Sequence, residues 1–371
     1  MITVIFAYYV EVLGNVRTKE SFVLRVIGAD TCKCVNDVPL DLIKKRIEET
    51  QLFRDVKVDL INDTVYIFLK EFWYIWPYPV IDYSFDVGLS LGLGVIHTNF
   101  RGNGENLSGY FMMGARRSWE IMWNTPNYRF FKNSVGFGIG SSGYYSLIYQ
   151  IPIHKTWVEG VYNTKLSENL RMQLKIRGVS VKSDSFGIED IFSENSVIVF
   201  KDTRDWILYP QRGYTLKSGI YEYFGNFVAR KFEFYYEGFK SLNDLTFVIF
   251  GGYTHLFGYP PLYLLPNFMG TDDALRGGIP KRRVVGKTRY LVSFEMRKVL
   301  AKEFPDIIGR FVSGGFGISV FTDFGGVDTT MGISIGLGVP IFSSLGGYLP
   351  AVVYNTRYGF QTYIGGIVRI K

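Results

Sequence analysis

Two cysteines and three histidines in 371 residues leave little material for a metal site or a disulfide framework. Cys32 and Cys34 stand two apart, too close for an easy mutual bond in extended chain, and read as incidental loop thiols. His97, His154 and His255 are scattered without ligand spacing. Also missing are a G-x-S-x-G elbow, an H-E-x-x-H helix and a P-loop lysine, so hydrolytic or metal-dependent chemistry has no visible carrier. No enzyme activity, cofactor or metal is expected. No stretch approaches the ~18 uninterrupted apolar residues of a spanning helix, which excludes a helical membrane protein. A barrel is untouched by that test, because its strands need only about 10 alternating residues each.

What is abundant is aromatic and small: 26 Tyr, 31 Phe and 41 Gly. Glycine relieves tight bends in β-barrels, and aromatic residues collect at membrane interfaces. The net charge of +7 would permit nucleic-acid binding, but Lys and Arg alternate with apolar residues instead of forming blocks. A polar barrel lumen or contact with anionic lipid accounts for them more simply, and no nucleic acid is expected. Met1 to Ala7 (MITVIFA) is apolar yet lacks the basic region and length of a signal peptide.

The pattern changes near residues 72–79. Before it, Tyr8 to Val12 reads as a strand and Lys19 to Ile27 as a helix closed by Gly28. Leu40, Ile43 and Ile47 recur at helical spacing behind Asn36 or Asp37 as N-cap candidates. Val56, Val58 and Leu60 alternate, Asn62-Asp63 turns the chain, and Val65, Ile67 and Leu69 alternate again, giving β-α-α-β-β. The segment Phe72 to Pro79, aromatic and broken by two prolines, suits an interfacial hinge. Beyond it, period two dominates. Leu170, Met172, Leu174 and Ile176 alternate with Arg171, Gln173, Lys175 and Arg177. Phe232, Phe234 and Tyr236 alternate with Lys231, Glu233, Tyr235 and Glu237, and Tyr290, Val292, Phe294 and Met296 with Arg289, Leu291, Ser293, Glu295 and Arg297. A soluble sandwich would alternate likewise. The length beyond position 79 allows about 18 residues per strand and loop for 16 strands, as transmembrane barrels require.

Gly14-Asn15-Val16-Arg17-Thr18-Lys19, the helix ending Thr50-Gln51-Leu52-Phe53 and the strand ending Lys70-Glu71 together resemble a POTRA domain. That module precedes the barrel in the BamA/TamA family of outer-membrane assembly factors (bacterial surface antigen barrels). Three further motifs carry the resemblance. Asp202-Thr203-Arg204-Asp205, followed by Pro210-Gln211-Arg212-Gly213, resembles the family's D-T-R-D…P-x-R-G segment, which reads physically as a tight strand connection. Ala274-Leu275-Arg276-Gly277-Gly278 looks like its V/I-R-G-F/Y loop motif, with Leu275 in place of a β-branched residue and Gly278 in place of the aromatic. Phe321-Thr322-Asp323-Phe324-Gly325 is similar to its F-x-D-x-G strand motif. Gly138 to Gly143 satisfies G-x-G-x-x-G, but a strand pattern follows where a dinucleotide site needs a helix.

The resemblance implies a mostly β fold: a 16-stranded antiparallel transmembrane barrel over 80–371, a hinge at 73–79 and one small α/β POTRA domain over 1–72. It implies a bacterial outer-membrane location with the POTRA domain in the periplasm. Such a protein is exported, so the recorded start is expected to lie inside the true signal sequence, residues 1–7 being its remnant. Arg276 is expected to pair with Asp323 and hold its loop inside the lumen, with Gly277, Phe321, Gly325 and Glu295 around it. The implied partners are unfolded outer-membrane clients, lipid and accessory assembly proteins. Clients would add a strand to an exposed sheet edge, with Val65 to Lys70 or Tyr8 to Val12 as candidates. They would then insert at a seam between a first strand near Phe85 to Ile96 and a last strand over Arg357 to Lys371, weakened by Gly359, Gly365 and Gly366. The chain ends Arg369-Ile370-Lys371, without the terminal aromatic usual for the family. A two-partner-secretion transporter and a passive pore are the competing readings. The transporter branch usually carries two POTRA domains and a plug helix, of which one domain and no plug are visible.

Overall fold

The computed structural model describes residues 7–29, 33–36, 39–84, 87–126, 131–147, 149–183, 187–205, 210–267, 275–276, 284–301, 314–343, 346–357 and 359–366. Residues 1–6, most of the suspected signal remnant, lie outside the described residues.

The N-terminal domain runs β1 (Ala7–Leu13), α1 (Glu20–Ile27), β2 (Cys34–Asn36), α2 (Leu40–Glu48), β3 (Phe53–Ile61) and β4 (Thr64–Glu71). Phe22, Val23, Val26 and Ile27 recur on one face of α1 and are buried, and Gly28 ends the helix in the left-handed conformation. The first turn of α2 begins after Pro39, whose carbonyl accepts the Leu42 and Ile43 amides. Its fixed φ presets that position, so Asn36 does not cap the helix but ends β2; Asp37 lies outside the described residues. Asn62 and Asp63 both take positive φ, as a two-residue hairpin turn between β3 and β4 demands.

Two expectations for this domain are corrected. The sheet order is β2-β1-β4-β3, with β1 and β4 parallel. The helical crossover lays β4 beside β1, so Tyr8 to Val12 and Val65 to Lys70 are central and the long edge is β3. Cys34 is disulfide-bonded, not a free thiol. Lys33 before it has φ 57°; Cys32 lies outside the described residues.

The barrel comprises β5 (Ile75–Ser84), β6 (Gly88–Phe100), β7 (Glu105–Gly114), β8 (Arg116–Asn124), β9 (Asn133–Ser146), β10 (Ile151–Ser167), β11 (Leu170–Ser183) and β12 (Ile188–Asp202). It continues with β13 (Arg212–Gly225), β14 (Val228–Leu242), β15 (Leu245–Gly258), β16 (Thr288–Ala301), β17 (Gly314–Val327), β18 (Thr330–Gly338), β19 (Ile341–Ser343), β20 (Gly346–Asn355) and β21 (Gly359–Gly366). Neighbours pair antiparallel and the sheet closes with β21 beside β5. β18 and β19 are one strand broken at Val339-Pro340, since both lie between β17 and β20. The closed sheet therefore has 16 strands.

The hinge expected at 73–79 is mostly strand. β5 starts at Ile75 and pairs with β6 from Ile75↔His97 to Ser84↔Gly88, so the barrel's first strand precedes Phe85. The prolines fit because of their register. Thr98 donates to the Tyr74 carbonyl, so even-numbered residues of β5 turn their amides toward β6. Pro77 and Pro79 are odd, and the N–H each lacks would point toward β21.

The alternation resolves into two faces. Leu93, Ile176, Phe234, Phe294 and Leu337 stand out from the wall and are exposed, whereas Glu159, Glu233, Glu295 and Asp323 are buried inside. Apolar exposure on strand after strand far exceeds what a water-soluble monomer shows, and it forms the lipid-facing band of a transmembrane barrel. Gly138 to Gly143 lies within β9, with no helix behind it.

The N-terminal domain is bolted to one mouth of this cylinder. Lys19 donates to the Gly102 carbonyl at 2.8 Å. Asn99 donates to the Thr18 hydroxyl at 2.8 Å and accepts the Gly104 amide at 2.8 Å. The Thr18 hydroxyl also meets the Tyr74 phenol at 3.0 Å. Thr18, Tyr74 and Asn99 are all buried. Burial pushes the Tyr74 pKa up to about 12, so the phenol is neutral over the physiological range. Phe22 packs edge-on to Phe131 from beyond β8, and Arg25 lies over the same ring. A Cβ on Gly102, at φ 75°, would sit 2.3 Å from the Arg17 carbonyl. Gly102→Val is therefore expected to undock the domain. Proteolysis of the 72–74 connection should speed about tenfold or more, as a loss of ~1.4 kcal/mol would give, with strand content unchanged by circular dichroism. Unaltered cleavage would show that this turn does not hold the domain.

Candidate functional site: an arginine lock inside the barrel

Period two decides which side chains of β16 and β17 meet in the lumen. Ser293, Glu295 and Arg297 share one face of β16, and Phe321, Asp323 and Gly325 share one face of β17. The register sets Ser293 against Asp323 and Glu295 against Phe321. Gly325 lets the strands close, because a Cβ there would meet the Tyr290 carbonyl at 2.5 Å; Gly336 similarly leaves room for the Phe321 ring.

Into this wall comes Arg276, from the long connection between β15 and β16. Its Nε and Nη2 donate to the two carboxylate oxygens of Asp323 at 2.9 and 2.7 Å. Nη1 donates to Glu295 at 2.7 Å and Nη2 also to Ser293 at 2.9 Å. Its backbone amide reaches Asp323 at 3.2 Å. The guanidinium carbon lies 3.3 Å from the centre of the Phe321 ring, a cation over a π face. Arg297 donates to the other Glu295 oxygen at 2.7 Å, and the Ser293 hydroxyl to Asp323 at 2.6 Å. Two guanidinium groups thus face two carboxylates, and the bidentate fork on Asp323 is geometry that only arginine supplies. Arg276 is 1% exposed and Asp323 0%, so each charge depends on its partners and not on water.

The residues singled out in the sequence fall into three groups. Arg276, Asp323, Glu295 and Phe321 touch, with Gly325 making room beside them. Gly277 and Gly278 lie outside the described residues. Arg289 shares the lumen side and donates to Asn267 and Tyr235. Leu275, substituting for a β-branched residue, is buried with Tyr235, Phe250, Leu291 and Val327, so the loop tip is packed on its apolar side. Ser293 was missed. A lone serine carries no charge to draw notice, and its parity with Glu295 was the available signal.

The Asp202–Gly213 motif is a turn at the domain-side mouth. Arg204 forks onto Asp202 at 2.9 and 2.6 Å, and Asp205 accepts the Gln211 and Arg212 amides at 2.9 and 3.1 Å. Pro210 is buried beside them. Gly213, at φ 97°, comes so near Thr203 that a Cβ would lie 2.3 Å from its carbonyl. Trp206 to Tyr209 lie outside the described residues. Elsewhere on the lumen wall Glu159 of β10 pairs with Lys175 and Arg177 of β11, and Glu233 of β14 with Lys217, Lys231 and Tyr221. Among the described residues no group of His, Cys, Asp and Glu could hold a metal ion.

No family profile and no curated protein matches the sequence. Solved structures do match in shape. BamA from Haemophilus ducreyi, lacking POTRA domains 1–3, is 16% identical at a TM-score of 0.74, over 96% of this chain and 83% of that one. CdiB from Escherichia coli is 11% identical at 0.65, over 96% and 75%. CdiB from Acinetobacter baumannii is 12% identical at 0.62, over 96% and 73%. With its 16-stranded closed sheet, its small four-stranded α/β domain at one mouth and a connection turned into the lumen, this chain has the BamA/TamA-like barrel fold.

Proposed function

We propose that this chain is a bacterial outer-membrane assembly factor whose N-terminal domain, a POTRA module on the periplasmic side, receives unfolded barrel clients and whose β21–β5 seam templates their insertion. The observation that carries the reading is the placement of Pro77 and Pro79. Sheets confine proline to edges, and here both missing donors face the one junction where the cylinder closes. Gly359, Gly365 and Gly366 weaken β21 from the other side, since glycine gives a strand little to pack. The client's own folding and burial of apolar surface drive insertion, with no nucleotide and no catalytic step. On the domain, β3 is the long sheet edge on which a client strand can pair through its backbone. The Arg276 lock favours insertion at the seam over passage through the lumen, because it holds a loop where a secreted chain would travel.

Liposomes carrying the purified protein are expected to accept an unfolded client barrel faster than empty liposomes do. Depletion in cells should lower many outer-membrane barrels together. Loss of a single exported polypeptide would instead favour a secretion pore, and altered small-solute permeability alone a passive one.

A further inference from the structure

We propose that the outer wall over β13 to β17 holds one anionic glycerophospholipid, with an acyl chain in a groove beside Tyr236 and the phosphate between Lys240 and Arg212. The groove has a volume of about 440 Å³. Its sides are Tyr236, Phe247, Ile249, Phe294, Met296 and Val320. These residues belong to the outward parity of their strands: Phe247 pairs with Met296, and Met296 with Val320. Gly238 interrupts the row on β14 between Tyr236 and Lys240. The Tyr236 ring lies down over this glycine, its hydroxyl 2.6 Å from where a Cβ would stand, so Gly238 is covered and the ring forms that side of the groove. Tyr214 stacks on Tyr236 at 6.0 Å and closes that flank. A slot walled by Tyr236, Phe247 and Phe294 fits a single hydrocarbon chain.

The head of the ligand follows from charge. Lys240 lines the domain-side end of the groove, and Arg212 stands directly opposite it across β13 and β14. Like charges in that position repel, and among the described residues neither side chain has an acidic partner. Asp205, in the adjoining turn, spends one oxygen on the Gln211 and Arg212 backbone amides. Lys298 adds a third outward cation on β16, two strands across and two residues along from Lys240, or about 12 Å, opposite Leu245. A phosphate between Arg212 and Lys240 turns the repulsion into two charge-assisted hydrogen bonds. Lysine stems also extend along apolar surface to keep their heads at the interface. The elongated apolar slot with two cations at one end fits a lipid better than a free phosphate, which would leave the slot empty.

The test uses the intact chain in detergent micelles, titrated with phosphatidylglycerol or with phosphatidylcholine of identical acyl chains and followed by native mass spectrometry. One phosphatidylglycerol is expected to be retained at about tenfold lower lipid concentration than phosphatidylcholine, equivalent to ~1.4 kcal/mol. Arg212→Gln with Lys240→Gln should abolish that preference, and Lys240→Gln alone should reduce it if the double variant folds poorly. Gly238→Leu, which pushes the Tyr236 ring out into the slot while keeping both cations, should weaken retention of both lipids. Lys45→Gln, on α2 of the N-terminal domain, should leave that preference unchanged. Equal retention of the two lipids by the unaltered protein, a preference that survives Arg212→Gln with Lys240→Gln, or one lost in Lys45→Gln would each overturn the site.

Discussion

Arg276→Ala is expected to destabilise the barrel by about 3–5 kcal/mol, the cost of stranding a buried charge. The substitution deletes four side-chain hydrogen bonds but its main effect is electrostatic. Asp323 and Glu295 would remain in the wall without the guanidinium that joins them; Glu295 keeps Arg297, and Asp323 keeps the Ser293 hydroxyl and the amide of residue 276. The loss should show as a lower urea midpoint in lipid vesicles and as new protease cleavage between β15 and β16. Water entering the lumen can re-solvate part of the exposed charge, which places the expected value toward the lower end of the range.

Two companions separate pairing from burial. Arg276→Lys keeps the positive charge and loses the fork, so it should recover part of the stability but not the protection of the loop. Asp323→Ala alone should cost as much as Arg276→Ala, whereas the double variant should cost much less than the sum, because removing both partners leaves no stranded pair. Additive losses in that cycle would mean that Arg276 and Asp323 do not act on each other, and the lock would be wrong.

How much of this was legible beforehand depends on the range of the interaction. Period-two alternation is local, so the lipid and lumen faces of β11, β14 and β16 could be assigned from runs such as Leu170–Arg177. Glu295 and Arg297 followed from the same parity. The Arg276–Asp323 contact spans 47 residues, and no local pattern links the two; only the resemblance of both motifs brought them together. Sheet order was the least visible. β1 and β4 alternate as edge strands would, and nothing local says that a crossover buries them while β3 stays outside. The hinge misreading has a similar origin. Two prolines argue against a strand wherever both neighbours must be paired, but the sequence cannot show that the donors they lack point toward the closing junction.

Those prolines give the second large expectation. Pro77→Val with Pro79→Val should close the seam more firmly, raising the urea midpoint while slowing client insertion. Both rings lie on the exposed outward side of β5, and valine suits a lipid-facing strand in shape and propensity. Each substitution restores one N–H toward β21, worth about 1 kcal/mol net where a carbonyl is there to receive it. Together, ~2 kcal/mol would reduce the open population roughly 30-fold. If opening limits insertion, the client rate falls by a similar factor. Stability and activity then move in opposite directions, which an ordinary structural role for the prolines does not produce. Pro152→Val is the control. Pro152 lies near the end of β10, beyond the first ladder pair with β11 at His154↔Lys182, and its replacement should leave insertion unchanged. A doubly substituted barrel that is more stable yet inserts clients at the original rate would refute templating at the β21–β5 seam while leaving the fold intact.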